Sequence, residues 1–492
     1  MNYDNRRRWW ALIVLCMGVL MIVLDTTIVN VALPSIRADL GFSEASLAWV
    51  VNAYLLTFGG FLLLGGRLGD LFGHRRLFMT GITLFTLASL ASGLSTTQGF
   101  LVAARGIQGI GGAIVSAVAL SLIMNLFTKP ADRAKAMGLY GFVSAGGGSI
   151  GVLLGGVLTN TLNWHWIFLV NIPVGAVVLA LSLMLLPAAC GRVAAGRLDV
   201  AGTVTVTASL MLAVYAIVNG NDAGWTSGRT IGLLVAATAL LAAFLWIEAR
   251  ARAPLMPLGL FRLRNVATAN VVGVLWAAAM FAWFFLSALY LQSVLGYSPL
   301  QVGLAFLPAN VIMAAFSLGL SAKLVMRFGI RSPLAMGLFL AAAGLVLFAR
   351  APVDGNFVLD VLPGMILLGL GAGIAFNPVL LAAMSDVTPA ESGLASGVVN
   401  TSFMMGGALG LAILASLAAS RTESLLSSGN GHLAALNGGY HAAFLLGALC
   451  AALAAVLGAA LLRATSAANT GATSSLRRKG ELARQSVEEG CE

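Results

Sequence analysis

Residues 68–75 read LGDLFGHR, and 256 positions later residues 324–331 read LVMRFGIR. Both fit L-x-x-x-F-G-x-R, and both close a run of about twenty mostly apolar residues. Three more junctions recur in the same order. LGFS at 40–43 returns as LGYS at 295–298, GIGGAI at 109–114 as GLGAGI at 369–374, and PADRAKAMG at 130–138 as PAESGLASG at 389–397, at offsets of 255, 260 and 259. Each match is weak alone. Four in sequence, each at the corresponding helix end or span, mark an internal duplication.

The material between the junctions is made for lipid. Of 492 residues, 59% are hydrophobic and 9% charged, against about 25% charged in a soluble domain. A helix of about 20 apolar residues crosses the hydrocarbon at 1.5 Å per residue. Fourteen such spans are predicted, at 9–33, 47–66, 77–95, 100–127, 135–160, 165–186, 199–219, 230–249, 266–292, 301–322, 332–349, 357–380, 393–419 and 440–462. Strand-length alternation, the mark of a membrane barrel, is not apparent. The N-terminal run after Arg6, Arg7 and Arg8 extends to Leu33, too far for a signal-peptide core, and reads as the first span.

An even count puts both termini on one side, and the basic residues say which. With the N-terminus cytoplasmic, 23 of the 28 Lys and Arg fall inside, four (Arg37, Arg229, Arg350, Arg421) fall outside, and Arg105 alone lies within a span. The net charge of +10 is thereby placed in cytoplasmic loops and does not indicate nucleic acid. The expected organisation is a six-helix bundle (1–190), two inserted helices (191–264), a second six-helix bundle (265–463) and a cytoplasmic disordered tail (464–492). Two inserted helices leave the second half in the orientation of the first, so the repeats are parallel. Paired bundles around a central cavity suit alternating access.

Acids within the spans are scarce. Asp25 lies roughly 22 Å along the first helix from Trp10, in its outer half, and Arg105 roughly 7 Å below the outer end of the fourth. A charge at bilayer centre costs about 2.5–3.5 kcal/mol on insertion scales, so each should face a cavity or a partner. Burial raises a carboxyl group's proton affinity and a guanidinium lowers it. An Arg105 contact that moves would therefore switch Asp25 between protonation states; a static pair would only lock the first and fourth helices together. Gly66, Asp70, Gly73, Arg75 and Arg76 form a short interfacial turn in GRLGDLFGHRRLF (66–78). There a carboxylate caps a helix or pairs with arginine and can latch the cytoplasmic side; the plain alternative is a loop charge. Gly151, Gly155 and Gly156 lie in the fifth helix, where small residues permit close helix approach. Trp283, Phe284, Phe403, Met404 and Met405 are candidates for the lining of a lipophilic cavity, or equally for lipid-facing and packing positions.

No phosphate loop, metal spacing or nucleophile elbow is present, and the four cysteines show no pairing pattern. The expectation is not an enzyme, with no cofactor and no metal, no ATPase domain, and energy drawn from a gradient. The expected partners are a small-molecule substrate, protons and membrane lipid, not nucleic acid, with the chain acting as a monomer in the plasma membrane.

Taken together the motifs resemble the fourteen-helix drug:proton antiporters of the major facilitator superfamily (EmrB/QacA type), over roughly residues 10–465. LDTTIVNVALP (24–34) is similar to that group's first-helix motif, GRLGDLFGHRRLF to its loop motif, RGIQGIGGA (105–113) to its fourth-helix motif and WHWIFLVNIPVG (164–175) to its sixth-helix entry. YLQSVLGYSPLQVGLAFLP (290–308) and ASGVVNTSFMMGGALG (395–410) are similar to its second-half signatures. The resemblance implies a major facilitator fold, a proton-coupling role for Asp25 and Arg105, a gate at Asp70, and proton-driven export of lipophilic or cationic compounds. Departures are Leu71 and His74 in the gate, Val152 where the antiporter motif carries proline, His165 for arginine, and Phe403-Met404 for Arg-Gln. Two other functions are compatible with the sequence: transport of one specific metabolite, which Val152 leaves open, and a non-transporting membrane sensor or scaffold.

Overall fold

A computed structural model describes residues 5–127, 129–186, 199–251, 254, 256–387 and 392–462. The tail expected from 464, and the loop carrying Arg192 and Arg197, lie outside the described residues.

In the first half the long helices are α1 (Asn5–Leu40), α2 (Trp49–Phe72), α3 (His74–Gly93), α4 (Gln98–Leu126), α5 (Pro130–Thr161) and α6 (Asn171–Leu185). Then come α7 (Val200–Ala223) and α8 (Gly228–Arg250). The second half holds α9 (Arg264–Leu289), α10 (Pro299–Ala315), α11 (Arg331–Phe348), α12 (Leu362–Met384), α13 (Ser392–Ser427) and α14 (His432–Leu461).

Among the described residues twelve helices are long and apolar enough to cross a membrane, against the fourteen expected. The difference lies in two shorter apolar segments, Ile150–Thr161 within α5 and Pro299–Ala315. The second is cut short because α10 passes at Phe316–Leu320 into a π-helical turn with Gly319 at φ +156°, before a short helix at Ser321–Phe328 resumes.

The duplicated junctions form duplicated structure. Gly41 and Gly296 hold φ of +72° and +70°, the left-handed region that favours glycine. Ser43 and Ser298 then each cap the next helix in a reciprocal capping box, with Ser46 and Gln301. The L-x-x-x-F-G-x-R turns likewise carry left-handed glycines, Gly73 and Gly329. The two glycine runs pack alike. Gly109 abuts α2 at the Tyr54 carbonyl, and a methyl on Gly111 would lie 2.7 Å from the Phe85 nitrogen of α3. Gly369 abuts α10 at Ala309, and a methyl on Gly371 would lie 2.7 Å from the Ala341 nitrogen of α11. Backbones meet where side chains are missing, as in membrane helix pairs generally.

The halves meet along two seams, α5 against α10 and α2 against α13. Helix α7 packs on both α2 and α13, so it covers the second seam, and α8 packs on α7. Large apolar side chains such as Val235, Leu245 and Trp246 of α8 are exposed. That outer surface matches hydrocarbon, not water.

Candidate functional site

Five segments of the first half converge on Asp25. Its side chain is fully buried in mid-α1, and Arg105 of α4 is 1% exposed. Arg105 Nη1 donates to Asp25 Oδ2 at 2.5 Å and to Gln108 Oε1 at 2.7 Å, while its Nε donates to the Val50 carbonyl of α2 at 3.0 Å. The guanidinium also lies over the rings of Tyr54 (4.5 Å) and Phe168 (5.5 Å), a favourable cation–π placement.

The other carboxylate oxygen, Oδ1, accepts from Gln108 Nε2 at 2.7 Å and from Asn171 Nδ2 at 3.2 Å. Ser89 of α3 closes the cluster. Its hydroxyl accepts from Gln108 and Asn171 at 3.1 and 2.9 Å and donates to the Phe168 carbonyl at 3.0 Å. Each of these hydrogen-bond partners of Asp25 is a donor, which suits an acceptor-only carboxylate. Oδ1 accepts two hydrogen bonds and Oδ2 one, so a proton placed on Oδ1 would bring donor against donor and displace Gln108 or Asn171.

Sequence reading found the charged pair and missed Gln108, Asn171 and Ser89. Gln108 stands three residues from Arg105, on the same helix face. Asn171 lies inside the WHWIFLVNIPVG stretch. The Asn52 amide and the Tyr54 hydroxyl, also buried and on α2, have no hydrogen-bond partner among the described residues.

The candidate gate residues lie at the α2–α3 junction, Gly66 and Asp70 in the last turns of α2, Gly73 in the turn and Arg75 and Arg76 in the first turn of α3. Gly73 makes the turn at φ +89°, and Gly66 has open space around it. Arg75 Nη2 donates to the Leu183 carbonyl at 2.6 Å, placing a cation at the C-terminal end of α6, where the helix dipole favours it. Arg76 is exposed. The Asp70 side chain lies outside the described residues.

The glycines of α5 lie against two neighbours. A methyl on Gly151 would sit 2.9 Å from the Leu24 carbonyl and one on Gly155 2.6 Å from the Ile28 carbonyl, both on α1. One on Gly156 would sit 2.7 Å from the Pro299 carbonyl of α10. Val152 is buried, and its carbonyl faces Gly303 of α10.

The aromatic and methionine candidates separate. Trp283 and Phe284 of α9 pack with Phe306 of α10, at centroid distances of 5.9 and 5.5 Å. Phe403 of α13 lines a cleft with Trp276, Phe376, Val379, Leu380, Val399 and Asn400. Met404 and Met405 instead pack against Gly59 of α2, on the seam between the halves.

A sequence profile described as Major Facilitator Superfamily matches residues 15–411. The chain belongs to the Major Facilitator Superfamily. Within the superfamily it is 41% identical over 423 residues to the puromycin resistance protein pur8 of Streptomyces alboniger, covering 86% of this chain and 84% of that one. It is 39% identical to the cephamycin export protein CmcT of Amycolatopsis lactamdurans, covering 84% and 85%. The partially occluded, inward-open xylose transporter XylE from E. coli aligns with a TM-score of 0.62 at 15% identity, over 94% of this chain and 99% of that one. That likeness shows the major facilitator fold. The chain is thus a multi-pass membrane transporter.

Proposed function

We propose that this chain is a proton-coupled exporter of lipophilic or cationic small molecules, antibiotics among them, working by alternating access in the plasma membrane. Relatives named for antibiotic resistance and export support the direction and the substrate class. The observation that carries the coupling is the buried Asp25 cluster, in which a carboxylate is held by donors from α4 and α6. Proton binding removes the negative charge that holds Arg105, Gln108 and Asn171 together. Release of those donors frees α1 to shift relative to α4 and α6. One proton moving down the membrane potential supplies about 2.3 kcal/mol per 100 mV.

On this reading the chain is of the fourteen-helix drug:proton antiporter type, with six, two and six spans divided near residues 190 and 264. The segments Ile150–Thr161 and Pro299–Ala315 occupy the fifth and tenth spans, and the charge distribution favours cytoplasmic termini. Gly66, Asp70, Gly73, Arg75 and Arg76 serve the cytoplasmic gate, and the chain works as a monomer.

Proteoliposomes test this. Substrate found in a resistance screen with an efflux-deficient host should discharge a preset proton gradient with the wild type and not with Asp25→Asn. An Asn variant that still concentrates substrate against its gradient would overturn the Asp25 mechanism.

A further inference from the structure

We propose that the second half carries a subsite for uncharged aromatic molecules bearing hydrogen-bond acceptors, in the cleft between α9, α12 and α13. The proposal rests on the exporter reading and names the substrate chemistry that this part of the protein takes.

The walls of the cleft are rings and branched aliphatics. Trp276 comes from α9, Phe376 and Val379 from α12, and Phe403 from α13. Phe376 and Phe403 meet edge to face at 6.0 Å, an arrangement that offers a flat guest both a face and an edge. Negative charge is missing from the helices that form it. Residues 265–353, 361–385 and 392–422 contain no Asp or Glu, so a cation in this cleft would lose its hydration without gaining a counter-charge from those helices.

Polarity is nonetheless built in. Trp276 is fully buried, and its indole N–H meets no acceptor among the described residues. Buried indole N–H groups usually find a partner, and one left without an acceptor has lost its hydration for nothing in return. The same face of α9 carries a second such group two turns away, Trp283, 1% exposed and also without an acceptor. Trp283 touches Phe306 of α10. Asn310, one turn beyond Phe306 on the same face, is 1% exposed and has an unpartnered Nδ2. Asn400, on the cleft wall, spends an amide N–H on the Ser396 carbonyl at 3.0 Å. The cleft's own unanswered donor is the Trp276 N–H, with Trp283 and Asn310 repeating the pattern behind it at the α9–α10 contact. A donor on a ring-lined, acid-free wall selects an aromatic guest with carbonyl, nitro or ether oxygens.

The test uses the full chain in proteoliposomes with two probes: chloramphenicol, uncharged and carrying nitro and amide oxygens, and ethidium, a permanent aromatic cation. The wild type should take chloramphenicol at the lower KM. Trp276→Phe keeps a ring and removes the N–H, and should raise the chloramphenicol KM about three- to tenfold, the loss expected for one neutral hydrogen bond. Asn400→Asp adds the missing charge and should shift preference toward ethidium, a gain that misfolding cannot imitate. A chloramphenicol KM unchanged in Trp276→Phe, or a wild type that prefers ethidium, overturns the subsite alone. Movement of neither probe by the wild type, with no substrate-linked proton release, overturns the exporter reading and the subsite with it.

Discussion

Gln108 shows how a neutral side chain can govern a charged pair. Its carbonyl accepts from Arg105 while its amide nitrogen donates to Asp25, so acid and base are joined twice, directly and through one amide. Gln108→Leu leaves both ions short of a partner in a buried site, a loss of about 1–3 kcal/mol. The expected result is a transport rate down about tenfold, with equilibrium substrate binding within about twofold of the wild type in a radioligand assay. Binding lost in parallel would assign Gln108 to substrate instead. The charged members of this site were legible in sequence because a charge within a span is costly and rare. The amides were not, because a buried Asn or Gln costs far less and several occupy spans; only contact with Asp25 distinguishes Gln108 and Asn171 from the rest. A neighbouring-residue effect also hid the fate of Phe403 and Met404. Successive residues on a helix point about 100° apart, so one faces the cleft and the next faces α2.

Helix α5 is built around its glycines. Gly151 and Gly155 stand one turn apart and receive the backbone of α1 at Leu24 and Ile28 together with the side chains of Thr27 and Ile28. Overpacking such a contact costs about 1–3 kcal/mol per site. Gly155→Leu should therefore abolish transport or membrane accumulation, whereas Gly141→Leu on the same helix, where nothing lies within 4 Å of the added carbon, should retain both. Immunoblots of membrane fractions with vesicle transport assays check the pair, and equal behaviour of the two variants would refute the packing account. The existence of this helix, and the small-residue spacing on it, could be read from the sequence. Its division of labour could not: residues 155 and 156 are adjacent, yet they meet different halves of the protein. The break in α10 was equally hidden, since Gly319 looks like any glycine in an apolar run until its backbone angle is known.

At the scale of the molecule, the repeat was the most legible feature, because turns and caps impose residue identities that hydropathy alone does not. Ser43 and Ser298, or Gly73 and Gly329, are constrained by geometry that each half needs separately. What the repeat conceals is divergence, with buried charge concentrated in one half and an acid-free ring surface in the other. Alternating access requires the α5–α10 seam to open. A methyl on Gly156 would lie 3.1 Å from the Leu300 Cα, so cysteines at 156 and 300 fall within disulfide reach. Oxidation of the Gly156→Cys, Leu300→Cys protein should arrest transport, and a reductant should restore it; full activity in the cross-linked state would mean that the seam stays shut throughout the cycle. The same seam has a mechanical consequence. Gly156 lies on the Pro299 carbonyl and Gly303 on that of Val152, so at these points the halves touch through smooth main chain and not through interlocked side chains. Surfaces without ridges have few teeth to disengage. Parting or sliding there disengages no interlocked side chains, so the seam is shaped as a bearing between the halves.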